Sequence, residues 1–243
     1  EWVMDIGDPF TLKKDAPENN KILYSFLNKY YENKFYSLAN KILFTHEDAK
    51  SAHIDYFHIN PKKVFIANPI SDYNEDILTS SINYNYNLKP IKYGYFGIFT
   101  KGVRSPKNFL NYIKNQKDIE FHWYVNEDSK NEIITNNDKL ESIFHNLVDR
   151  DEALKLMSST VHCLLSIGNL NNKQLPSKVV EYISTGKPVV HFSEIDEDPV
   201  INIAKDFPNL FIISNKTDID KFLNQLDKYY KNISTFKKDL FIE

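Results

Sequence analysis

A chain of 243 residues, 42% hydrophobic and 26% charged, holds enough apolar material for one large or two modest folded units and is too apolar to stay disordered. Its 30 basic residues are scattered against 33 acidic ones, for a net charge of −3, so electrostatics give no reason to expect a nucleic-acid partner. The single cysteine, Cys163, cannot form an internal disulfide, and no apolar run approaches the roughly 20 residues of a membrane helix.

The chain opens on EWVMDIGDPF, with no signal-peptide pattern, and residues 2–6 read as a buried strand. Such an abrupt start suggests a fragment whose upstream part is missing. Residues 41–45 and 63–69 read as further buried strands. The long segment between the first two, ENNKILYSFLNKYYENKFYSLANK, repeats its apolar residues at helical steps. Residues 71–90 are polar and lack periodicity, which places a domain boundary there and divides the chain into 1–88 and 89–243.

Beyond that stretch, strands are expected at 92–99, 120–125, 142–148, 161–167, 188–192 and 210–214. Helical patterns fall near 105–116, 151–159, 176–185, 197–205 and 217–231. Strand–helix alternation of this kind predicts an α/β fold, with parallel sheets covered by helices on both faces. Such sheets bind ligands beyond the carboxyl ends of their strands.

Six glycines, at 7, 94, 97, 102, 168 and 186, mark where the backbone must turn or approach something closely. In GYFGIFTKGVRSPKNF (94–109), Gly97 near a strand end precedes Lys101, Arg104 and a helix opening around Ser105-Pro106. Two cations and first-turn amides would favour a phosphate, although solvated cations on a plain turn fit equally well. The loop matches neither the Walker pattern nor G-x-G-x-x-G, so neither nucleoside triphosphate hydrolysis nor dinucleotide redox chemistry is indicated.

A second loop, SIGNLNNKQLPSK (166–178), leads from Gly168-Asn169 into a helix bearing Lys178 and Glu181. Pro176 suits the first turn of that helix and Gly186 its C-terminal cap. Lys178 and Glu181 share the side opposite Val179 and Ile183, so they fit a solvated ion pair worth a few tenths of a kcal/mol. They also fit a site: two loops at one sheet edge, each with cations, can converge on a diphosphate while Glu181 accepts ribose hydroxyls.

The remaining polar residues carry simpler readings. Cys163 in VHCLLSI reads as a small core residue, and His145 and His162 as satisfied core histidines. His46, after Thr45 at a helix start, reads as local capping or plain exposure. Asp5 and Asp8 in D-x-x-D-P fit turn chemistry, with Asp8 as an alternative candidate on an acceptor cleft. The histidines and the cysteine lack zinc-ligand spacing, and no paired carboxylates suggest hydrolase chemistry.

The segment LLSIGNLNNKQLPSKVVEYISTGKPVV (164–190) resembles the donor-binding segment of GT-B glycosyltransferases, close to the retaining family 4 type, in which P-S-K-x-x-E-Y-x-x-x-G-K-P-V-V recurs. YFGIFTKGVRSPKNFL (95–110) resembles the first loop of the same domain, and VDRDEALKLMSSTVHCLLS (148–166) its intervening strand–helix–strand. DIGDPF (5–10) and LANKILFTHEDAK (38–50) resemble the second half of the acceptor domain. The resemblance implies a GT-B fold: residues 89–243 as the Rossmann-like donor domain, and 1–88 as the end of a truncated second one, lacking roughly its first hundred residues.

What the resemblance implies chemically is transfer of a sugar from a nucleotide-sugar to a polysaccharide, glycolipid or other glycan, with retention and without a metal or other cofactor. Glu181 falls on the ribose-binding glutamate. Lys178 falls near the donor phosphates, Ser177 is a further donor-binding residue, and Lys101 and Arg104 fall on the diphosphate. Gly97 allows the donor to approach, and Asn169 is a donor contact. Arg104 and Lys178 then stabilise the leaving group. The first of the family's two spaced glutamates is here Lys173, and its usual Arg/Lys pair lacks the common spacing. The setting implied is cytoplasmic, at the inner face of the membrane, with any membrane contact through the missing part. A sugar-nucleotide epimerase and a non-catalytic GT-B-like binding or scaffold protein are the alternatives.

Overall fold

A computed structural model describes residues 1–7, 9–12, 21–67, 75–82, 85, 89–137 and 140–232. Asp8 lies outside the described residues, as does the end of the strand expected at 63–69. The first three strands, β1 (Val3–Ile6), β2 (Lys41–Phe44) and β3 (Val64–Ile66), form a parallel sheet in that order. Val3 pairs with Lys41, and Ile42 with Val64. Helices α1 (Lys21–Leu38) and α2 (Glu47–Phe57) connect them, around a core that includes Tyr36, Ile42, Phe44 and Phe57.

Helix α1 departs from the usual pattern. Its buried side is Glu32 and Tyr36, where the Glu32 carboxylate accepts from the Tyr36 hydroxyl (2.6 Å) and the Thr11 amide (2.9 Å). Its apolar residues face outward, Phe26 being 77% exposed, with Leu23, Tyr30 and Leu38 also open. The periodicity that predicted a helix here located it without revealing which side would be covered.

The stretch expected to divide the chain is not free of structure. Helix α3 (Glu75–Ile82) lies within 71–90, with Ile77 and Ser81 buried. It packs against α6 (Arg150–Ser159) of the second sheet. Ile77 and Ser81, one turn apart, are the buried residues among its described side chains. Among the described residues, no helix is long and apolar enough to cross a membrane.

The second sheet contains β4 (Ile91–Phe96), β5 (Ile119–Tyr124), β6 (Glu141–His145), β7 (Cys163–Ile167), β8 (Val189–Phe192) and β9 (Leu210–Ile213). All pair in parallel in the order β6-β5-β4-β7-β8-β9. Counted from its own first strand this is 3-2-1-4-5-6, the doubly wound Rossmann order, whose direction reverses between β4 and β7. The connecting helices are α4 (Lys107–Ile113), α5 (Glu127–Asn136), α6, α7 (Lys178–Ser184) and α8 (Val200–Ile203), with α9 (Ile219–Asn232) after β9.

Strands buried on both faces alternate between two cores. Cys163, Leu165 and Ile167 join Phe109, Trp123, Phe192 and Phe222 on one side, while Leu164 and Val189 join Met157, Val179, Ile183 and Val200 on the other. The reading of Cys163 and His162 as core residues agrees, since both are fully buried and His162 Nδ1 accepts from the Lys92 amide (2.9 Å). His145 differs: on strand β6 it is only partly buried, stacks on Tyr124 at 4.3 Å and meets His122 at 3.1 Å. The expected strand 142–148 stops at His145 because the following residues lead to Asp149, whose carboxylate caps α6.

Helix α5 had no counterpart in the sequence reading. Asn126 caps it by accepting from the Ser129 amide, and Glu127 and Asp128 fill its first turn. Those signals were legible, but Ser129 and Ile133 alone are buried, too few for a periodic pattern.

At the opposite end of the sheet Lys187 is fully buried, its ammonium donating to the Val161 carbonyl. Burial pushes its pKa down from 10.5 to about 7. Between those values the folded chain binds fewer protons than the unfolded chain, so this group makes the protein more stable as pH rises from about 7 to 9. Urea unfolding across that window should show the rise, and Lys187→Met should flatten it. Equal pH slopes for the two proteins would refute the assignment.

Candidate functional site

The site begins where β4 and β7 part. They pair only at Tyr93–Cys163 and Gly94–Leu164, so the end of β4 lacks a strand partner on that side. The Tyr182 hydroxyl of α7 fills the gap: it accepts from the Phe96 amide at 2.9 Å and donates to the Phe96 carbonyl at 3.1 Å. Burial raises this hydroxyl above its usual range, so it keeps the proton the carbonyl needs. Gly97 follows at φ 156°, and the chain leaves the sheet.

The two loops that emerge are tied together. The Leu170 amide donates to the Val103 carbonyl at 2.8 Å. Arg104 donates through Nε (3.1 Å) and Nη2 (2.8 Å) to Asn169 Oδ1. Asn169, only 2% exposed, gives its Nδ2 to the Gln174 carbonyl at 2.8 Å. Both ends of its amide are engaged, and the guanidinium is held in a two-point fork across the switch point.

One helix away, Lys178 Nζ lies 2.7 Å from Glu181 Oε2, so the ion pair of the simpler reading is present. It has a third member. Arg150, which opens α6, brings Nε to 3.6 Å from Glu181 Oε1, and the Glu181 side chain is 22% exposed. Arg150 also lines an open cavity of about 690 Å³ with Asp149, Asp151, Glu152 and Lys155. Only two of the chain's 30 basic residues are arginines, and both stand at this sheet edge.

Lys101 is exposed on the first loop, and Ser177 is exposed at the N-cap of α7, where its hydroxyl caps nothing. Lys173 is partly exposed, and its charge helps hold His53 of α2 below the ordinary histidine range, where burial is the larger cause. His46 corrects its sequence reading. It is buried, its ring makes no cap, and Nε2 donates to the Asn172 carbonyl at 2.9 Å, linking the end of β2 to the loop after β7. Arg150, Tyr182 and His46 were thus missed. For Arg150 the scarcity of arginine was an available signal; for the others only the fold supplies one. Among the described residues no group of three or more His, Cys, Asp or Glu could hold a metal ion.

No protein-family model matches the sequence, and no curated protein matches it. Solved structures do. Over 98% of this chain, HepE of Anabaena, solved with UDP and glucose, aligns at TM-score 0.63 and 10% identity. WaaG, a glycosyltransferase involved in lipopolysaccharide biosynthesis, aligns over 98% at 0.60 and 12%. A glycosyltransferase from Rickettsia africae ESF-5 aligns over 98% at 0.54 and 11%. The chain spans 65%, 71% and 67% of these proteins respectively. The likeness is one of fold, and the fold is α/β of the GT-B type, with a Rossmann-like sheet and a smaller parallel sheet before it.

Tyr182→Phe removes one hydroxyl and leaves two buried backbone groups of Phe96 unpaired. It should destabilise the chain by about 1–3 kcal/mol in chemical denaturation, with little change in core volume. A loss no greater than that of a surface tyrosine, such as Tyr56→Phe, would show that the hydroxyl does not hold the parted strands.

Proposed function

We propose that this chain binds a nucleotide-sugar and acts as a glycosyltransferase, passing the sugar to a polysaccharide, glycolipid or other glycan acceptor. The observation that carries the proposal is the Arg104–Asn169 fork across the switch point of a GT-B-type sheet, with Glu181 held between Lys178 and Arg150 at the starts of the neighbouring helices. HepE, of the same fold, has been solved with UDP-glucose, which makes uracil the first base to test.

In the transfer, the bond from the anomeric carbon to the diphosphate oxygen breaks and a bond to the acceptor oxygen forms, while the acceptor hydroxyl gives its proton to the departing diphosphate or to water. Negative charge collects on the leaving diphosphate. Arg104, already oriented by Asn169, meets that charge with little reorganisation, and Lys178 joins it once Glu181 releases it. Lys101 adds an exposed cation, Ser177 offers its uncapped hydroxyl to the donor, and Gly97 and Asn169 line the approach. Glu181 accepts the ribose hydroxyls. As it turns to them its hold on Lys178 weakens, and the lysine becomes available to phosphate. No metal is invoked, because the cations can meet the developing charge themselves.

On this reading residues 89–243 are the donor domain and 1–88 belong to the acceptor side, where Asp8 is the candidate contact. Retention of configuration, a family 4 relationship and work at the inner face of the cytoplasmic membrane in envelope assembly complete the proposal.

Calorimetric titration with UDP, GDP and ADP tests it. One nucleotide should bind saturably, and Glu181→Ala should weaken that binding about tenfold or more, roughly 1.4 kcal/mol. Binding indifferent to Glu181 would move the nucleotide elsewhere. No binding by a folded sample would count against the whole reading.

A further inference from the structure

Behind the two loops lies a buried network that the proposed transfer does not use. Ser166 of β7 and His191 of β8 are cross-strand partners, and Asp198 sits two residues before α8. They are 4%, 0% and 3% exposed. His191 Nδ1 lies 2.9 Å from Ser166 Oγ, and Nε2 lies 3.0 Å from Asp198 Oδ2. An ionised carboxylate can only accept, so Nε2 donates to Asp198, while Nδ1 shares a hydrogen bond with the serine hydroxyl. The other carboxylate oxygen accepts from the Val200 amide at 2.9 Å. The trio has the residue types of a hydrolase triad, but its serine is sealed in the core and no substrate can reach it.

Its consequence is mechanical. Asp198 Oδ2 stands 2.3 Å from where a β-carbon on Gly168 would lie, with the Phe192 carbonyl at 3.2 Å and the Glu194 amide at 3.3 Å. The carboxylate therefore rests directly on the glycine backbone, which is also pinned by its own amide donating to Phe192 at 2.8 Å. The next residue is Asn169, whose side-chain oxygen receives both Arg104 donors.

We infer that Ser166, His191 and Asp198 are positioning residues for Arg104. Histidine fixes the carboxylate, the carboxylate fixes the backbone at Gly168, and that backbone sets Asn169 Oδ1 in the guanidinium fork. Gly168 is required because any side chain would push the carboxylate off its seat. The effect on nucleotide binding rests on the proposed function; the placement of Arg104 does not.

The chain's two arginines allow a direct test, since they give two Nε–H signals in a nitrogen–proton correlation spectrum, told apart by Arg104→Lys. In the ligand-free chain the Arg104 signal should be sharp and slow to exchange with water. His191→Phe should speed its exchange about tenfold or broaden it away, while the Arg150 signal and near-ultraviolet dichroism stay unchanged. Gly168→Ala should do the same. Should His191→Phe fail to fold, Ser166→Ala removes one hydroxyl and asks the same question more gently. An Arg104 signal unchanged in the folded variants would overturn the inference, as would one unprotected in the unsubstituted chain. If UDP binds, His191→Phe should weaken it several-fold, and should have no further effect beside Arg104→Lys. Independent losses there would overturn it too. Absence of nucleotide binding would sink the functional proposal, while the Arg104 exchange rates would still decide the placement of the guanidinium.

Discussion

Two parallel strands that pair over two residues and then separate govern the carboxyl edge of the larger sheet. Where β4 leaves β7, backbone donors and acceptors lose their ladder partners in the interior of the protein, and each unsatisfied group would cost on the order of 1–3 kcal/mol. A tyrosine hydroxyl, able to donate and accept at once, answers both at Phe96. The gap so held open lets two loops rise side by side, and every candidate binding residue of the larger sheet lies on one of them or on a helix beside them.

What those loops present is electrostatically uneven. Lysines are scattered along the whole chain, whereas the two arginines stand at this edge. A guanidinium is planar and forked, so a single amide oxygen can fix its direction, which a lysine ammonium on a flexible stem does not allow. Arg104 is fixed in this way by Asn169, and Glu181 lies between Lys178 and Arg150. The resulting arrangement keeps positive charge directed and partly neutralised. The smaller sheet reaches the same loop system through His46, whose ring holds the Asn172 carbonyl.

Helix α1 shows how far a side-chain pattern can mislead about burial. Its length and helical steps were evident, and the helix is there. The residues that face the sheet are a glutamate and a tyrosine satisfied by one another, while phenylalanine, leucine and tyrosine face outward. Periodicity reports that apolar residues share a side; it does not report what lies opposite that side.

The sequence by itself determined the order of the strands and most of the helices, the parallel sheets and the two loops worth inspecting, because hydrophobic spacing and the glycine, proline and cap signals act over a few neighbouring residues. It also picked out Arg104, Lys178 and Glu181 as residue types suited to a diphosphate and a ribose. Tertiary structure alone decided that Arg150 joins Glu181, that Tyr182 stitches the parted strands, that His46 spans the two sheets, and that Asp198 presses on Gly168. Helix α3 belongs with these, since its Ile77 and Ser81 acquire meaning only against α6. Each of these contacts joins residues 25 or more positions apart, or depends on where a distant strand ends. Local propensity carries no record of such distances; packing and hydrogen-bond satisfaction in the closed fold set them.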